Sequence, residues 1–206
     1  MEIFLTDLLR PETIIEYGGI GLLLFIIFAE TGLFFGFFLP GDSLLFVAGL
    51  LCGSPYLPFP LWLLITTVVA AAFGGTTVGY GFGFWAKGYL HQRKENFFYR
   101  KSYIEITKRF YQKYGMMAFI VGRFLPLVRT FVPILAGIVR IDFKKFLFYN
   151  LLGAVCWVIP MISSGYLLGK SFPGITDHLD LIVLLMILLS GIPFLVFWKR
   201  NRSVVR

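Results

Sequence analysis

Residues 115–139 read GMMAFIVGRFLPLVRTFVPILAGIV. The stretch is apolar, yet it holds Arg123 and Arg129, with Pro126 and Pro133 inside it. Arg140, Lys144 and Lys145 follow at once, and residues 87–114 before it carry eight Lys/Arg against Glu95 and Glu105. Basic flanks mark the cytoplasmic side of a membrane segment. With both ends on that side, a single crossing is excluded. The segment must dip into the bilayer and return, a re-entrant hairpin broken near Pro126. An arginine in mid-bilayer costs at least ~2.5–3.5 kcal/mol, so each must pair or line a wet cavity.

The motif Gly122-Arg123-Phe124-Leu125-Pro126 has an earlier copy, Gly36-Phe37-Phe38-Leu39-Pro40, and both read G-x-F-L-P. An Ala-Gly pair follows each, Ala48-Gly49 and Ala136-Gly137. Ionisable residues flank both. They are acids in the first copy, Glu30 and Asp42, and bases in the second, Arg123 and Arg129. Gly/Pro-broken apolar segments at matching places in two halves point to a transporter binding site. Around the first copy, residues 18–52 form two apolar arms too short to span singly, since a span needs ~20 residues. This predicts a second re-entrant hairpin, with Gly36, Pro40 and Gly41 at its turn, as Gly122 and Pro126 are at the other.

Residues 61–86 are long enough to cross, and their Gly75, Gly79 and Gly83 form a small-residue face for helix packing. A dinucleotide-binding reading of these glycines fails for want of a βαβ context. In residues 87–114, Tyr99, Tyr103, Ile106, Phe110 and Tyr114 recur at helical spacing among bases, as in an amphipathic helix on an anionic leaflet. Residues 2–16, with four acids and one base, read as a short interfacial helix interrupted near Pro11. Residues 146–169 cross outward and residues 179–198 cross back, leaving Lys199, Arg200, Arg202 and Arg206 in the cytoplasm. The first hairpin then opens from the outer face and the second from the inner face, an inverted-topology arrangement.

The predicted fold class is therefore all-α and polytopic. Residues 1–206 make one membrane domain with two halves, 1–86 and 87–206, two opposed re-entrant helical hairpins, about three full transmembrane helices and interfacial amphipathic helices. Composition agrees: 58% of 206 residues are hydrophobic, and mean hydropathy is +0.81. Ordinary soluble domains are roughly half apolar. The net charge of +8 resides in loops and the tail, which argues against nucleic acid. The N-terminus has no basic n-region or small-residue cleavage site, so the first apolar block is expected to serve as the targeting signal. Cys52 and Cys156 form no metal spacing or disulfide framework. His91 and His178 fall in expected loops and read as ordinary surface residues. No cofactor and no metal site is expected.

Pro126 between Arg123 and Arg129 should let both turn toward one cavity. The simplest arrangement puts them in a pocket with Glu30 and Asp42. Arginine suits phosphate because its planar fork can bind two oxygens, and half-helix N-termini beside the proline breaks add backbone N–H groups. Carboxylates there can carry protons. A purely structural ion-pair network is the bland alternative, although buried pairs often add little stability. Asn150, Gly153 and Trp157 share one face of the next helix. Asn150 either hydrogen-bonds toward the pocket or only packs. Lys87 and Lys170 sit at helix ends and snorkel.

The segment G-x-F-L-P-G-D preceded by Glu30, the segment from Gly122 to Thr130, and the run Asn150-x-x-Gly153-x-x-x-Trp157 resemble the DedA family, also called SNARE-associated or VTT-domain proteins. The resemblance covers roughly residues 15–170. It implies two opposed hairpins and lipid transport. Bacterial members are associated with recycling undecaprenyl phosphate or flipping phospholipids such as phosphatidylethanolamine, and some are linked to the proton-motive force. The family's essential acids correspond to Glu30 and Asp42, and its essential arginines to Arg123 and Arg129. There is one departure. Many members carry an acid after the glycine of the third segment, where this chain has Thr76-Thr77 after Gly75.

The leading expectation is a translocase of a phosphate-bearing lipid headgroup in a bacterial cytoplasmic membrane. Arg123 and Arg129 would grip phosphate, while Glu30 and Asp42 exchange protons or act as counter-ions. Asn150 and Trp157 would support the site. Membrane lipids and protons are the expected partners, and the apolar helix faces could support a homodimer. A proton-coupled exporter of small cations or drugs is the alternative, disfavoured because two midplane arginines repel cations. An intramembrane enzyme is disfavoured too, since no apolar block holds a histidine, a P-loop or a G-x-S-x-G elbow.

Overall fold

The computed structural model describes residues 11–33, 39–90, 115–124 and 126–172. The expectations for residues 2–10, for Gly36, for the amphipathic helix in residues 91–114, for the crossing 179–198 and for both histidines lie outside them. The described residues are helical throughout, apart from turns and one isolated bridge between Cys52 and Leu57.

Helix α1 runs Pro11–Gly32. Proline suits a first helical position because its missing N–H would have no partner there. The helix is kinked at Gly19, whose φ of 55° and ψ of −153° only glycine adopts without strain. The kink separates the charge-bearing stretch from the apolar arm, close to the boundary expected from composition. Helix α2, Gly41–Leu50, begins directly after Pro40, whose carbonyl accepts a 2.9 Å bond from Ser43 Oγ. Two helical arms therefore flank the first G-x-F-L-P motif. Helix α3 spans Leu61–Leu90.

The second motif is built differently. Its first arm is three short turns, Gly115–Met117, Ala118–Val121 (α4) and Gly122–Phe124, the outer two of 3-10 type. Short 3-10 pieces wind tighter than an α-helix and rarely run beyond 3–4 residues. The arm Gly115–Phe124 is therefore helical but tightly wound at both ends, and Arg123 lies in its last tight turn. Helix α5, Pro126–Val139, then starts on its proline. A tight reversal follows, with Arg140 at φ 60° and its guanidinium 4.8 Å from the Phe84 ring centre. Helix α6, Phe143–Ser171, is capped by Asp142, whose Oδ1 accepts from the Lys145 N–H at 2.8 Å.

Two stretches, Leu61–Ala86 and Phe143–Ser171, are long and apolar enough to cross a bilayer, near the expected 61–86 and 146–169. Only 28% and 33% of their most apolar windows are buried within the protein. Much of their apolar surface therefore faces outward, including Trp62, Trp85, Phe148 and Leu167. A soluble protein rarely exposes so many large apolar side chains; a lipid solvent removes the penalty.

The chain divides into two compact units. The first comprises Met1–Leu23, Pro40–Leu64 and Pro160–Arg206. In it α2 crosses the C-terminal part of α6 at van der Waals distance. A Cβ on Gly49 would lie 2.2 Å from the Ile162 carbonyl oxygen, and one on Gly165 would lie 2.1 Å from that of Phe46. The second unit comprises Leu24–Leu39 and Ile65–Ile159. In it α5 crosses α3 by the same device. A Cβ on Gly137 would lie 2.1 Å from the Tyr80 carbonyl oxygen, and one on Gly83 would lie 1.9 Å from that of Ile134. In both units the carbonyl-bearing partners stand three residues before the two glycines. The Ala-Gly pairs that follow the repeated motifs thus serve the same packing task. Gly75 and Gly32 bring α3 against the end of α1 in the second unit, so the small-residue face does pack helices. Beside it Tyr80 stacks on Phe146 at a ring-centre distance of 4.5 Å, and Phe119 meets Phe146 edge to face at 5.2 Å.

Because backbone fills the space a side chain would need, Gly83→Val or Gly49→Val should destabilise by about 3 kcal/mol. Gly81→Ala, which meets nothing within 4 Å, should be tolerated. Melting temperatures of the detergent-purified variants check this.

Candidate functional site: a buried arginine pair

Arg123 and Arg129 sit on opposite sides of the break at Pro126, one in the last 3-10 turn and the other in the first turns of α5. Both are almost fully buried, at 4% and 6% exposure. They line one cavity, with Gly122, Val128, Val132, Pro133, Phe119, Thr76 and Asn150 among its walls. The convergence expected from the proline break is therefore what the chain forms. Among the described residues those walls hold two guanidiniums and no carboxylate. The cavity is narrow, with room on the order of one water molecule.

The two arginines meet different partners. Arg129 Nη2 donates to Glu30 Oε1 in a salt bridge whose carboxylate is fully buried. Its guanidinium carbon also lies 5.0 Å over the ring of Trp157, a cation–π contact that strengthens when desolvated. Glu30 is in the last turns of α1 and is brought to Arg129 across 99 residues of sequence.

Arg123 instead meets neutral oxygens. Its Nη2 donates to Thr76 Oγ1 at 3.0 Å and to Asn150 Oδ1. The directions of these bonds are set by the rest of the network. The Thr76 hydroxyl donates back to the Ala72 carbonyl at 2.8 Å, so its oxygen can only accept from Arg123. The Thr77 hydroxyl likewise donates to the Phe73 carbonyl at 2.7 Å. Asn150 Nδ2 donates to that same carbonyl at 3.2 Å and to Thr77 Oγ1 at 3.3 Å. Its Oδ1 must therefore be the atom on Arg123. Gly153, one turn on from Asn150, leaves the room that Arg123 occupies: a Cβ there would lie 3.0 Å from Cδ and Nε.

The face of α6 read from helical spacing thus reaches both arginines, through Asn150 and Gly153 to Arg123 and through Trp157 to Arg129. Thr76 and Thr77 had registered only as a departure from an acid. The available signal was two adjacent hydroxyls beside a helix-packing glycine. Among the hairpin-turn residues, Gly122 lines the cavity, Pro126 begins α5, and Pro40 and Gly41 lead into α2. Asp42 stands half-buried in the first turn of α2, in the first unit, whereas Glu30 and both arginines belong to the second. Lys170 is exposed at the end of α6.

Removing one partner of a buried ion pair strands the other. Arg129→Ala should therefore cost about 3–5 kcal/mol of stability. The double variant Glu30→Gln/Arg129→Gln should recover much of that, since no buried charge is left over. A double-mutant cycle on thermal melting in detergent measures the difference.

Residues 39–167 match the VTT domain model. Protein DedA of Escherichia coli K12 is 35% identical over 95% of this chain and 90% of its own length. The uncharacterized membrane protein Rv0364 of Mycobacterium tuberculosis H37Rv is 37% identical over 84% of this chain and 76% of its own. The inner membrane protein YqjA of Escherichia coli K12 is 32% identical over 92% and 90%. No solved structure matches the chain. Apolar helices with outward-facing surfaces, a broken segment carrying two buried arginines, and these relatives agree: the chain belongs to the VTT-domain (DedA) family of membrane proteins.

Proposed function

We propose that this protein translocates a phosphate-bearing lipid headgroup across the bacterial cytoplasmic membrane, the candidates being undecaprenyl phosphate and a phospholipid such as phosphatidylethanolamine. One observation carries the reading: two buried arginines line a single cavity in whose walls no acid stands among the described residues. Arginine recognises phosphate through charge and fixed donor geometry. A lipid tail can stay in the bilayer, so only the headgroup needs a polar path.

The narrowness of the cavity bears on mechanism. Phosphate must displace something to enter, and the Glu30 carboxylate already occupies one guanidinium. Glu30 acts here as a resident anion that yields Arg129 when it takes a proton or when the arms move. That exchange would couple headgroup binding to protons, with Asp42 as a second acid on the path. Residues 18–52 and 115–139 would be opposed re-entrant hairpins, and exposure would alternate between their tips. The matching glycine crossings of the two repeats support an inverted-repeat design. The chain works as a carrier, not an enzyme, with its C-terminus in the cytoplasm, alone or as a homodimer.

Purified protein in liposomes should flip one of the two labelled lipids, with a rate that responds to a pH gradient. Arg123→Ala and Arg129→Ala should each lower that rate at least about tenfold, the scale expected for losing a charged hydrogen bond. No flipping of either lipid by well-folded protein would overturn the proposal and favour a cation exporter or a scaffold.

A further inference from the structure

Arg123 differs from Arg129 in a way that neither arginine's sequence context shows. Both hydrogens of its Nη2 are used, one by Thr76 and one by Asn150. Both acceptors are uncharged, so the guanidinium keeps its full positive charge. Its Nε–H and the two Nη1 hydrogens meet no acceptor among the described residues. This donor set belongs to a side chain only 4% exposed that lines the cavity. An arginine carries five such donors in a rigid plane. Fixing two of them on one nitrogen fixes the orientation of the rest.

We infer that Thr76 and Asn150 are positioning residues that hold Arg123 as a standing anion anchor, charged and oriented, for the phosphate of the lipid headgroup. The inference rests on the proposed lipid-phosphate reading and assigns Arg123 the role that Arg129, engaged by Glu30, does not have in this conformation. The clamp works because it is neutral. A carboxylate at either position would satisfy Nη2 equally well, but it would cancel the charge the ligand needs. Thr77 and the Phe73 carbonyl complete the device. They take the Asn150 Nδ2 hydrogens, so the amide cannot turn its donor side toward Arg123.

Four variants test this: Asn150→Asp, Thr76→Asp, Thr76→Ser and Thr76→Val. Each is made in the full chain and purified in detergent. Binding of undecaprenyl phosphate and of phosphatidylethanolamine is titrated, with undecaprenol as the tail-only blank. Melting temperature without lipid reports folding. Both acid variants should lose headgroup-dependent binding about tenfold or more, a charge-cancelling effect that a merely structural role would not produce; Asn150→Asp, which also gives up its bonds to Phe73 and Thr77, should melt somewhat lower. Thr76→Ser keeps the acceptor and should bind within about twofold of wild type, whereas Thr76→Val, of similar shape, should weaken binding about fivefold. The serine–valine contrast decides the matter even if an acid variant does not fold. Wild-type binding that the acid variants or Thr76→Val retain in full would overturn the clamp alone. Equal wild-type affinity for undecaprenyl phosphate and undecaprenol, with no binding of phosphatidylethanolamine, would overturn the lipid-phosphate reading, and the clamp's role with it.

Discussion

A guanidinium carries five N–H donors and a charge it does not lose, and this chain buries two of them on either side of one break in an apolar segment. That demand shapes much of the second unit. Glu30, Thr76, Asn150 and Trp157 come from three helices, and what they have in common is an arginine. Glycines then let those helices approach closely enough for short polar side chains to reach.

The two arginines receive two solutions to the same cost. A carboxylate gives the stronger attraction but leaves the pair neutral overall, and its desolvation penalty offsets much of the gain. Neutral oxygens give weaker bonds and leave a net charge exposed to whatever enters the cavity. Placing both solutions side by side makes one guanidinium conditional and the other standing. A site built this way can hold a ligand weakly at rest and more strongly once the internal acid lets go.

Much of this was legible in the chain itself. Apolar length predicts the helices at residues 61–86 and 146–169, because a run of that length has few other ways to bury its backbone polar groups. The Pro126 break predicts the convergence of Arg123 and Arg129, since an unbroken helix would set residues six apart about 120° from each other. Periodicity of 3.6 aligns Asn150, Gly153 and Trp157. The choice of partner was not legible. Glu30 meets Arg129 over 99 residues of separation, and nothing local distinguishes that from pairing with Arg123. Thr76 was hidden because a threonine in an apolar helix usually just bonds back one turn, which it also does here. The tight 3-10 winding at both ends of Gly115–Phe124 was not legible, because composition alone does not separate 3-10 from α-helical turns.

The paired glycine crossings constrain how such a protein could move. Where each glycine faces a carbonyl of the other helix, the next side chain along would collide with it. The two helices of a pair therefore cannot slide past each other by even one residue without a clash, as two notched rods cannot. They remain free to tilt together. Any working stroke must then be a rocking of whole notched pairs, with bending left to the glycine and proline breaks. A cross-link across a notch should leave the stroke intact, while a stiffened break should stop it.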